Sequence, residues 1–90
     1  MKTLTDSYQL AQAAIADLKA AVHSVLANTT DGLTNAQIGR TLGIYGGHIG
    51  HEGHIARTLL ALLESEGVAE QNSKTKRWRL KDHTITEQGD

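Results

Sequence analysis

Leu33-Thr34-Asn35-Ala36-Gln37-Ile38-Gly39-Arg40-Thr41-Leu42-Gly43 carries the sharpest local signal in the chain. Thr34 and Gln37 stand three residues apart. At that spacing a hydroxyl accepts from the backbone of the third helical residue while that residue's side chain reaches back to the cap. Leu33 before the cap and Ile38 at the fourth helical position complete a hydrophobic staple, so four residues agree on one helix start. Gly43 directly after Leu42 supplies a left-handed stop, and the predicted helix is short.

Upstream, Leu4 to about Asn28 is Ala-rich and free of Gly and Pro. Leu4, Tyr8, Ala11, Ile15, Leu18, Val22 and Val25 recur there at alternating steps of four and three, which predicts one long amphipathic helix. Thr5 or Asp6 can cap its start, and Asn28-Thr29-Thr30-Asp31-Gly32 forms the loop that ends it. The first half of this stripe runs past what a minimal three-helix domain can cover and would leave Leu4, Tyr8 and Leu10 wet. Leu4, Tyr8, Ala11 and Ile15 are therefore the expected contact of a homodimer.

Downstream, Gly43 to His54 holds five of the nine glycines and three of the five histidines. A third helix is predicted from about His51 to Glu66, with Ile55, Leu59, Leu62 and Leu63 on its apolar face and Gly67 as its stop. His54, Arg57, Thr58 and Ala61 fall opposite that face and should be exposed. The period then changes to two: Val68 to Asn72 reads as a strand, Ser73 to Lys76 as a turn, and Arg77 to Lys81 as the returning strand. Trp78 and Leu80 share one side of it, and Arg77, Arg79 and Lys81 the other.

The chain has 90 residues, 39% of them hydrophobic, with one Trp, two Tyr and no Cys or Pro. That is enough apolar material for one aliphatic core, so 1–90 is expected to be a single domain: a helical extension over 1–14, a core over 15–81 and a flexible tail over 82–90. Without Cys there is neither a disulfide staple nor a thiolate metal site. The N-terminus lacks a continuous apolar stretch and no unbroken apolar run approaches a bilayer's thickness, which predicts a cytoplasmic protein with no membrane partner. No nucleophile elbow, phosphate loop or recognisable carboxylate pair is present, and an enzyme is not expected. The formal net charge of -1 hides an asymmetry: Lys74-Thr75-Lys76-Arg77-Trp78-Arg79-Leu80-Lys81 carries five positive charges and no acid. One short basic segment sits on an otherwise acidic chain.

Three helices followed by a two-stranded hairpin, with a short helix leading through a turn into a longer one, resembles the winged helix-turn-helix family. Gln37-Ile38-Gly39-Arg40-Thr41-Leu42-Gly43-Ile44 is similar to the first helix and turn of many bacterial members. Leu59-Leu60-Ala61-Leu62-Leu63-Glu64-Ser65-Glu66-Gly67-Val68 is similar to a recognition helix running into the first wing strand, and Arg77-Trp78-Arg79-Leu80 to the second strand. The likeness spans roughly Ile15 to Lys81. Two features depart from it: the Gly/His segment exceeds the usual turn of three or four residues, and the first helix is longer than the minimal domain needs.

The resemblance implies sequence-specific binding of double-stranded DNA by a small transcriptional regulator. His51, His54, Arg57 and Thr58 would enter the major groove, where Arg57 suits a guanine edge or a phosphate. Gly46, Gly47 and Gly50, which lack side chains, would let the backbone approach phosphate closely, and His48 would lie against a phosphate as His51 and His54 would. Thr34, Gln37 and Arg40 would face the DNA backbone, and Lys74, Lys76, Arg77 and Arg79 would reach a flanking phosphate or the minor groove. The spacing of His48, His51 and His54 also allows a metal, but the HExxH spacing of zinc proteases is absent and no metal or other cofactor is expected. Two other uses fit the same layout: a protein-contact module, or the DNA-reading module of a restriction or mobile-element system.

Overall fold

A computed structural model describes residues 4–46 and 52–81. Within them, three helices precede a two-stranded antiparallel hairpin: α1 (Leu4–Ala27), α2 (Asn35–Leu42), α3 (His54–Ser65), β1 (Ala69–Gln71) and β2 (Trp78–Leu80). The mainly helical chain with a small hairpin matches the coarse architecture read from the sequence.

α2 begins where the capping residues place it. Thr34 Oγ1 accepts from Gln37 N at 3.2 Å, and Thr34 N donates to Gln37 Oε1 at 2.8 Å. The helix ends at Gly43, whose φ of 74° turns the chain left-handed so that Ile44 N reaches back to Gly39 O at 2.8 Å. α3 ends the same way: Gly67 has φ 77°, its N–H donates to Glu64 O at 3.0 Å, and Val68 N donates to Leu63 O at 2.9 Å. In both cases the residue after the glycine, Ile44 or Val68, turns onto the core.

The start of α3 is corrected by the structure. It lies at His54 rather than His51, because Gly53 takes a left-handed φ of 85° that no helical turn can include. The first helical hydrogen bond runs from Arg57 N to Gly53 O at 2.9 Å. The apolar face also shifts. Ala56, Leu59, Leu60 and Leu63 are buried, whereas Ile55 is 49% exposed. The buried set follows the three-four rhythm, and Ile55 and Leu62 fall on its flank.

The core joins every element: Val22 and Leu26 from α1, Ile38 from α2, Leu59, Leu60 and Leu63 from α3, and Ala69 and Trp78 from the hairpin. α1 contributes only its second half. Leu4 to Ala14 are exposed throughout, Ile15 is the first residue partly covered, and burial is complete only at Val22 and Leu26. By length and composition alone α1 is also long and apolar enough to cross a membrane, which the absence of long unbroken apolar runs does not suggest.

The strands are shorter than the expected 68–72 and 77–81, with Ala69 opposite Leu80, Glu70 opposite Arg79 and Gln71 opposite Trp78. A contact not foreseen from the sequence docks them. The loop between α1 and α2 adds a bridge at Leu33, which accepts from Trp78 N at 2.6 Å and donates to Trp78 O at 3.0 Å. Trp78 is thereby tied by its backbone on both sides while its indole enters the core.

Candidate nucleic-acid interface

α3 buries one face and leaves the other in solvent, so His54, Arg57, Thr58 and Ala61 are all exposed, as their spacing predicts. The Arg57 guanidinium has no ion pair or hydrogen bond among the described residues. Acidic side chains on α3 sit at its other end, at Glu64, followed by Glu66, which pairs with Lys19 of α1 at 2.7 Å. The N-terminal half of the exposed face therefore offers a cation and a hydroxyl together.

The hairpin loop is built by Asn72. Its side-chain Oδ1 accepts from Lys74 N at 2.8 Å and Thr75 N at 2.9 Å, and its carbonyl accepts from Lys76 N at 2.8 Å. Closing the loop puts Lys76 at φ 64°, a left-handed conformation unusual for a residue with a Cβ. Lys74 and Lys76 are both held out in solvent. The five cations of this segment are consequently not equivalent. Lys74, Lys76 and Lys81 are exposed, and no ion pair engages them among the described residues. Arg79 Nε lies 3.0 Å from Glu70 Oε2 on the facing strand.

Arg77 departs from the outward orientation expected of it. It is partly buried, and its Nη1 donates to Gly32 O at 2.9 Å, fastening the hairpin to the α1–α2 loop. Gly32 must be a glycine for this joint: its φ is 82°, and a Cβ there would stand 2.8 Å from Trp78 O.

On α2, the Thr34 hydroxyl and the Gln37 side-chain oxygen are engaged in the cap. Arg40 is exposed and lies with Cζ 4.5 Å from the centroid of the Tyr45 ring, a cation–π contact. Tyr45 is not among the residues that the sequence singles out, yet it joins α2 to the start of α3. A Cβ on Gly39 would come within 3.0 Å of Tyr45, and one on Gly53 within 2.9 Å, so the ring fits only because both neighbours lack side chains. Asn35 Nδ2 donates to Gly53 O at 3.3 Å beside it, and Gly53 N donates to Gly46 O at 3.2 Å. The available signal was the aromatic residue itself, alone among glycines.

Gly47, His48, Gly50 and His51 lie outside the described residues, as does the tail expected over 82–90. Among the described residues no group of three His, Asp or Glu side chains is placed to hold a metal ion.

Next to the exposed face of α3 runs a second feature, an open groove of about 280 Å³ between α1 and α3. Ile15 and Leu18 line it from α1, and His54, Ile55, Thr58, Leu59 and Leu62 from α3. Compared with family models, with curated proteins and with solved structures, the chain matches none.

Proposed function

We propose that the chain binds double-stranded DNA as a winged helix-turn-helix protein, with α3 in the major groove and the β1–β2 loop on the flanking backbone, and that it serves as a small transcriptional regulator. The observation that carries this reading is Arg57, an exposed guanidinium with no partner among the described residues, beside Thr58 in the N-terminal half of a helix whose opposite face is buried. An arginine so held meets a guanine edge or a phosphate with two donors at once. Lys74, Lys76 and Lys81 supply charge without sequence preference, and Arg40 supplies more from α2.

The mechanism divides into positioning and reading. Lysines on the loop and the arginine of α2 set register by displacing counterions from phosphates, while Arg57 and Thr58 discriminate among bases. Arg77 belongs to neither group, because its guanidinium holds the hairpin in place. Thr34 and Gln37 likewise act through the helix start, since their capping atoms are already occupied.

The test is the affinity of the whole chain for labelled duplex fragments, followed by anisotropy across a salt series. With Arg40, Lys74, Lys76 and Lys81 on phosphates, log K should fall against log salt with a slope of about -3.6 per chain, at roughly 0.9 per phosphate neutralised. No association with mixed-sequence or genomic duplex at low salt removes the DNA reading and leaves the protein-contact module as its successor.

A further inference from the structure

We infer that a second copy of this chain occupies the α1/α3 groove, its own α1 lying antiparallel over the first so that Leu4 and Tyr8 of each copy cover Ile15, Leu18 and Ile55 of the other. The inference stands on α1 and its groove and is independent of the DNA reading.

Three observations select this occupant. The first is continuity: the face of α1 that buries Val22 and Leu26 carries on through Leu18, Ile15, Ala11, Tyr8 and Leu4, where it runs out of domain to cover it. Leu4 is 90% exposed, Tyr8 66% and, on the adjoining flank, Leu10 60%. The groove and the overhang are therefore two ends of one apolar surface, partly covered at the groove and bare beyond it.

The second is self-complementarity. From Leu4 to Leu18 the apolar positions step by four, three, four and three, a pattern almost unchanged when read backwards. Two such helices laid antiparallel with Ala11 against Ala11 bring Leu4 beside Leu18 and Tyr8 within one residue of Ile15. This is the isologous pairing that a two-fold axis requires, and the small side chain at the axis allows close approach. The overlap extends about 21 Å along each helix, at 1.5 Å per residue.

The third is charge. Between Leu4 and Leu18 the charged residues are Asp6 and Asp17, and at about 100° per residue both fall on the side of α1 opposite the apolar stripe. The facing surfaces of two copies therefore carry no charge, and a strongly charged partner finds nothing on them to pair with. A lipid surface is a poor fit as well. Helices that lie on membranes are rich in Lys and Arg, whereas α1 carries Asp6 and Asp17 against the single cation Lys19, itself paired with Glu66.

The seat of the partner helix bears on the neighbouring face. His54 and Thr58 line the groove, so the second copy borders the DNA-reading face at Thr58, while Arg57, which carries the DNA reading, is exposed and does not line the groove.

Because the chain has no Cys, one introduced thiol reports the geometry directly. Ala11→Cys places a thiol at the axis, and Ala13→Cys places one at the same height on the opposite side of the exposed helix. At tens of micromolar, under mild oxidation, Ala11→Cys should cross-link to a dimer at least tenfold faster than Ala13→Cys. Light scattering of the unmodified chain should give twice the monomer mass, and Tyr8→Glu should weaken that association at least a hundredfold while retaining the helical signal. Equal cross-linking rates, a monomer mass at those concentrations, or a monomer that sediments with phosphatidylcholine–phosphatidylserine vesicles would overturn the inference, the last in favour of a bilayer. Duplex titrations of Tyr8→Glu keep the two proposals apart, since a monomer that still binds DNA leaves the site on α3 intact.

Discussion

At the scale of single residues, three glycines and two arginines make distinguishable predictions. Gly32 and Gly43 share left-handed backbone, with φ 82° and 74°, but they differ in what surrounds them: a Cβ on Gly32 would stand 2.8 Å from Trp78 O, whereas one on Gly43 would meet nothing within 4 Å. Gly43→Ala should therefore cost about 1 kcal/mol, the conformational penalty alone. Gly32→Ala adds a backbone collision and should exceed about 2 kcal/mol, as should Gly53→Ala, whose Cβ would meet Asn35 Nδ2 at 2.6 Å. Urea unfolding followed by circular dichroism ranks the three, and equal losses would refute the role given to the Gly32–Trp78 joint. Among the arginines, Arg77→Ala should destabilise by about 1 to 2 kcal/mol through the lost bond to Gly32 O, since a charged donor is removed from a partly buried joint. Arg79→Ala removes an exposed pair with Glu70 and should change stability by under about 1 kcal/mol. If stability responds to the two in the reverse order, Arg77 is a surface cation after all.

At the scale of elements, what the sequence discloses follows the range of the interaction. The start of α2 and the stops at Gly43 and Gly67 are legible because each is decided within six residues by caps whose chemistry is local. Thr34→Ala should cost about 1 kcal/mol by removing one half of the box, and Gln37→Ala less, a ranking thermal unfolding can read. The start of α3 escapes the periodicity because it depends on Gly53, which is held by Gly46 O, Tyr45 and Asn35 rather than by the pattern inside the helix. The inward turn of Arg77 is hidden for the same reason: alternation along β2 says which side a residue leaves the strand, and the loop at Gly32 decides where its end goes. On α3 itself, Arg57→Ala should lower affinity for a preferred site by about 1 to 3 kcal/mol and flatten the preference, whereas Lys74→Ala with Lys76→Ala should weaken all duplexes alike. Competition binding with mixed and selected sequences separates the two behaviours.

At the scale of the whole molecule, α1 is both the support of the core and its least supported part, since Val22 and Leu26 are buried while Leu4 to Ala14 touch water. If a second copy covers that overhang, the melting temperature must rise with protein concentration, by mass action; a concentration-independent transition would mark the overhang as simply exposed. The bridge between Leu33 and Trp78 carries a further consequence of an optical kind. Trp78 is the chain's single tryptophan and is 7% exposed, pinned where the hairpin, the α1–α2 loop and the core meet. Its emission should lie toward the blue in the folded chain and move to the red only when that junction opens. Lys74 and Lys76 are exposed in the loop that precedes it while the indole is buried, so duplex binding through the loop should leave the emission colour unchanged. A red shift on adding DNA would mean that the hairpin lifts off its seat to bind, and the emission of one indole would then follow the hairpin's departure in real time.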